Sequence, residues 1–105
     1  MTTTAASRLD GIAVTMRQIL TETAARFVHR KLAHGLEIVL QRTGRHYRLA
    51  LARPDTTPSD TEIELCAAAF RVPAGYEPHH TTKTRPGKTG LLTYNVVEIY
   101  WTETE

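Results

Sequence analysis

Leu36-Glu37-Ile38-Val39-Leu40-Gln41-Arg42-Thr43-Gly44-Arg45-His46-Tyr47-Arg48-Leu49-Ala50-Leu51-Ala52 carries two alternating runs around one glycine. Leu36, Ile38 and Leu40 alternate with Glu37, Val39 and Gln41, and Tyr47, Leu49 and Leu51 alternate with His46, Arg48 and Ala50. A period of two sends successive side chains to opposite faces, so each run reads as a half-buried strand. Glycine accepts the positive φ of a tight turn, so Thr43-Gly44 connects the runs and residues 36–52 form a hairpin. The apolar face of such a hairpin has to be covered by another layer.

The flanking sequence supplies that layer. On the N-terminal side Leu9, Ile12, Met16, Ile19, Leu20, Ala24 and Phe27 recur at three- and four-residue steps, which predicts one long amphipathic helix from Ser7 to about His34, ended by Gly35. Ser7 with Asp10 can cap its start. On the C-terminal side Arg53-Pro54-Asp55-Thr56-Thr57-Pro58 reads as a connection, because its prolines block regular hydrogen bonding. Ser59-Asp60-Thr61-Glu62 is a capping box, and Ile63, Cys66, Ala67 and Phe70 give the second helix a buried stripe that Pro73 closes.

Residues 74–90 show no periodicity and are rich in Gly, Pro, Thr, His and basic side chains, so they read as a long loop. Leu91 to Trp101 is a last strand, with Val97, Ile99 and Trp101 on one side and Leu92, Tyr94, Val96 and Tyr100 on the other. The expected class is α+β in the order α-β-β-α-β, a three-stranded, mainly antiparallel sheet packed on one side by two helices. It forms a single domain over residues 1–105, with flexible tails at 1–6 and 102–105.

Composition narrows the setting. The 105 residues are 41% hydrophobic and 23% charged, as in ordinary globular chains, and the longest apolar runs, such as Cys66 to Phe70, are too short to cross a bilayer. The N-terminus lacks the apolar core of a secretory signal and Cys66 is the sole cysteine, so a cytoplasmic, reducing setting and no membrane partner are expected. The net charge of +2 is unevenly placed: residues 1–53 carry nine bases against three acids, and residues 54–105 carry four bases against eight acids. Three of those four bases, Lys83, Arg85 and Lys88, stand close together. That asymmetry either attracts a polyanion or is neutralised when the halves fold together.

Two basic groups follow. Arg42, Arg45 and Arg48 surround the hairpin turn beside Tyr47, and His79, His80, Lys83, Arg85 and Lys88 stand among threonines in 74–90; both offer donors to phosphate oxygens. Pro86-Gly87-Lys88-Thr89 is not a P-loop, since Thr82 occupies the place of the leading glycine and a strand, not a helix, follows. His29, His34, His46, His79 and His80 have no zinc spacing, although a site joining a loop histidine to Cys66 stands as an alternative. A metal-independent ribonuclease using His79 or His80 with Lys83 and Arg85 is another.

No catalytic residue, metal or cofactor is expected. The function expected is a small non-enzymatic module binding DNA or RNA phosphates through these eight residues; the alternative is a homodimeric protein-interaction module. Tyr94, Tyr100 and Trp101 are the expected dimer interface, because a strand that is apolar on both sides needs cover on both.

Overall fold

The structure, a computed structural model, describes residues 5–32 and 35–103. Its elements are α1 (Ala5–Glu22), β1 (Phe27–Lys31), β2 (Glu37–Thr43), β3 (His46–Arg53), α2 (Asp60–Ala69), β4 (His79–Gly87) and β5 (Gly90–Thr102). The class is α+β, but the order is α-β-β-β-α-β-β and the sheet has five strands, β1-β2-β3-β5-β4, all antiparallel.

The expected hairpin stands as β2 and β3, with Thr43 opposite His46 and Gly44 at φ +63 in the two-residue turn. Two corrections account for the extra strands. The first helix stops at Glu22, not His34. Its last turn is rich in threonine: the Thr21 hydroxyl donates to the Arg17 carbonyl, and the Thr23 hydroxyl donates to Ile19 O at 2.6 Å and accepts from Ala25 N. Local side-chain bonds of this kind compete with continued helix. Phe27 then lies exposed on β1, where only Val28 is buried. The part of the expected helix at residues 33–34, and tail residues 1–4 and 104–105, lie outside the described residues.

The second correction replaces the loop at 74–90 with β4 and a hairpin to β5, in which Gly87 pairs with Gly90 around Lys88-Thr89. Gly87 is required by close approach, since a Cβ there would lie 2.8 Å from Leu92 Cγ. Ala5 and Ala6 belong to α1 and Thr102 to β5, so the ordered elements reach into the expected tails.

One core sits between the helices and one sheet face. Leu9, Ala13, Met16 and Leu20 of α1 and Ile63, Cys66 and Phe70 at α2 meet Ile38, Leu40, Leu49, Leu51, Val97 and Ile99, whose alternation puts them on a common face. The capping box is present, with Ser59 Oγ accepting from Glu62 N and Glu62 Oε1 accepting from Ser59 N. At the other end of α2, Arg71 takes φ +57, so its N–H reaches Ala68 O while Val72 N reaches Ala67 O. That is a Schellman cap built on arginine where glycine is usual. Arg17 of α1 donates to Phe70 O at 2.7 Å and pins the two helices together there.

Among the described residues no helix packs on the opposite sheet face. β5 is 13 residues long, and β3 pairs only with its Asn95–Thr102 part, so Gly90–Tyr94 and its β4 partners Lys83–Gly87 project as a two-stranded arm. In a flat sheet, four residues along the strand and three strand gaps would separate Arg85 and Glu37 by about 20 Å between backbones. The Arg85 guanidinium nevertheless lies 3.3 Å from Glu37 Oε2. The arm therefore curls over the open face and makes it concave.

Candidate functional site

Strand alternation sorts the nominated residues between faces. Arg48, His79, Lys83 and Arg85 stand on the open face with Tyr94 and Tyr100. Arg42 and His80 belong to the helix-side positions, Arg45 to the β2–β3 turn, and Lys88 to the exposed tip of the arm. Arg42 lies over the ring of Tyr47 at 5.6 Å and donates to Gly44 O. The eight residues thus divide between two faces and two turns.

Trp101 parts from the other two aromatics in the same way. It stacks on buried Tyr47 at 5.2 Å with a 7° interplanar angle and packs against the core edge, whereas Tyr100, 55% exposed, points the other way. Tyr47 itself is held above its ordinary pKa, first by burial and then by its hydrogen bond to Glu103.

Two carboxylates that the sequence reading did not single out organise the concave face. Glu98 accepts from Arg48 Nε at 2.6 Å and from the Tyr100 hydroxyl at 3.0 Å, with Lys83 Nζ at 3.6 Å. Burial alone would raise its pKa, but these donors and the charges of Arg48 and Lys83 prevail and hold it below the ordinary value. Glu37, buried on β2, takes His29 Nε2 at 2.9 Å from one edge strand and Arg85 from the other. Arg85 also lies 4.0 Å over the ring of Tyr94, and His79 meets Tyr100 edge-on at 6.2 Å.

Four permanent cations on this face, Lys31, Arg48, Lys83 and Arg85, meet two carboxylates, which leaves an excess of positive charge. The signal for Glu37 and Glu98 was present only as register. Each is the polar member of an apolar alternation, and nothing local tells that the arm will fold back to one of them.

Cys66 is buried, and burial first, with the nearby Glu62 charge, pushes its thiol up to about 12, so it stays protonated at neutral pH and serves as core. Among the described residues no group of three His, Cys, Asp or Glu side chains is placed to hold a metal, and no helix is long and apolar enough to cross a membrane. Set against protein-family models, curated proteins and solved structures, the chain matches none of them.

Proposed function

We propose that the chain binds single-stranded nucleic acid on the concave face of its sheet. One observation carries this reading: Arg48, His79, Lys83 and Arg85 share one helix-free face with the rings of Tyr94 and Tyr100. Cations along a groove hold phosphates, and exposed rings stack bases, which requires bases that are not already paired. The five-stranded face is about 19 Å across at the usual strand spacing, enough for an extended strand of a few nucleotides. Lys83 and Arg85, about half exposed, are the phosphate donors, and Tyr100 is the stacking platform.

Fluorescence anisotropy of a labelled single-stranded oligonucleotide tests it. Binding is expected to weaken steeply between 50 and 200 mM salt, roughly tenfold or more for two or three phosphate contacts. Tyr100→Ala should cost about 1–3 kcal/mol. Glu98→Gln should tighten binding, because Arg48 and Lys83 lose the carboxylate that competes with phosphate. No retardation or anisotropy change at low salt, or equal affinity for a duplex, would reject the reading.

A second reading, a homodimer, is favoured by the nine-residue edge strand β4, exposed along nearly its whole length. Pro86 has no N–H to donate to β5, so alternation leaves the amides of Thr84, Thr82 and His80 facing the open edge. Antiparallel pairing of two β4 edges would satisfy them. Sedimentation equilibrium at micromolar concentration is expected to give twice 11.8 kDa on this reading, and Thr82→Pro should return the chain to monomer. A wild-type mass of one chain sinks it.

A further inference from the structure

α1 and α2 are pinned together where Arg17 reaches the Phe70 carbonyl, and residues near the N-terminal ends of both line a common space. The space between them there, floored by the end of the β1–β2 connection, is an open cleft of about 380 Å³. Its walls are Leu9 and Ile12 of α1, Leu65 of α2 and Leu36 ahead of β2. Clefts that take small organic ligands begin at about this size and have this composition, mostly apolar with a few placed polar groups.

The charged groups at the cleft decide what it takes. Arg8 and Lys31 both line it, both are exposed, and neither has an ion-pair partner among the described residues. Glu62 also lines it, but its carboxylate is held by the Arg53 guanidinium through two hydrogen bonds and by Ser59 N. Its charge is therefore answered within the protein, while the two cations are left to face whatever enters. The Cys66 thiol, protonated at neutral pH, adds apolar wall and no competing anion.

We infer that this cleft is a binding site for a single free amphiphile with a carboxylate head group, its alkyl chain lying among Leu9, Ile12, Leu36 and Leu65 and its carboxylate against Arg8 and Lys31. An apolar chain gains from the walls by leaving water. The head group gains from two cations at the solvent boundary, where it keeps part of its hydration and avoids the cost of a fully buried charge. A cationic head of the same chain length meets repulsion at the same place. Apart from Lys31, which ends edge strand β1 and by register belongs to the open sheet face, the lining lies on the helix side of the molecule, so Arg8→Glu by itself tests the cleft independently of nucleic-acid binding.

The test uses the whole chain and follows backbone amide shifts by NMR during titration with decanoate, kept below its micelle concentration, and in parallel with decyltrimethylammonium. Decanoate is expected to shift the amides of Leu9, Ile12, Leu36 and Leu65 in the millimolar range or below, about tenfold more tightly than the cation. Arg8→Glu with Lys31→Glu should invert that order. Leu65→Trp, at a partly exposed position that tolerates the change without loss of core, should fill the cleft and reduce decanoate affinity about tenfold or more.

Absence of these shifts overturns the inference, as does equal affinity for the two head groups, or a Leu65→Trp variant that binds as well as the original chain. Binding to anionic phospholipid vesicles without binding of monomeric decanoate also overturns it, since the cations would then be meeting a bilayer surface and the cleft would play no part.

Discussion

Phe70→Ala is expected to lower the free energy of unfolding by about 3–5 kcal/mol, the largest effect of any single truncation in this chain. Phe70 is 0% exposed and is the largest of the fully buried side chains. It closes α2 as the C-cap, donating its N–H to Cys66 O, while its carbonyl accepts from Arg17. The ring therefore fills the core at the point where the two helices are tied, and its loss leaves a cavity that neither helix can close without breaking that tie. A domain of this size holds roughly 5–15 kcal/mol in total, so about a fifth or more of its stability is at stake. Urea unfolding followed by circular dichroism measures this as a lower midpoint at an unchanged slope. Val14→Ala, at an exposed position on α1, is the control and should change stability by about 0.5 kcal/mol or less. A Phe70→Ala variant within 1 kcal/mol of wild type would contradict the packing described.

The second large effect is acid lability set by Glu62. The hydrogen bonds from Arg53, helped by those from Ser59 and by the Arg53 charge, outweigh desolvation and hold the Glu62 carboxyl at about 2, against an ordinary 4.5. A group whose pKa is lower in the folded chain binds its proton more readily in the unfolded one, so stability rises with pH across that interval. The Glu62 contribution is complete above about pH 4.5 and is lost as the pH falls toward 2. At 1.36 kcal/mol per pH unit the shift corresponds to roughly 3 kcal/mol, and with the side chain 27% exposed, solvent screening reduces it to about 2 kcal/mol. Glu62→Gln should remove that part of the pH dependence and be less stable than wild type at pH 7. Parallel stability curves for the two proteins between pH 5 and pH 2 would assign the acid lability elsewhere, with Glu98 the next group to suspect.

How much of this was legible in the sequence depends on where burial left a trace. The 36–52 hairpin, the Ser59–Glu62 capping box and the strand through Val97 and Ile99 each bury one face, and their periods show it. β1 buries only Val28 of its five residues, so its alternation is invisible, and Ala24 and Phe27 happen to continue the helical spacing of α1. The end of that helix is written in the threonine hydroxyls at 21 and 23, a weaker signal than the glycine at 35 that drew the boundary too far. β4 is exposed on both faces and is held by its backbone ladder to β5, which leaves no hydrophobic pattern to read. The sidedness of the site was hidden for the same reason: with β4 taken as a loop, Lys83 and Arg85 had no face to belong to, and their meeting with Glu98 and Glu37 had no warning in sequence distance.

In mechanical terms the arm is a cantilever. Its root is clamped, since Val97 and Ile99 of the same strand are fully buried between the helices and the sheet. Its free end carries Leu91, Leu92 and the Lys88-Thr89 tip in solvent, and Arg85 on Glu37 props it where it leans over the face. Whatever settles in the hollow loads the beam from beneath, and removing the prop changes its rest angle without touching the clamp. Because β5 runs unbroken from tip to root, deflection at Leu92 is delivered as torque to the strand that pairs with β3, the centre of the sheet.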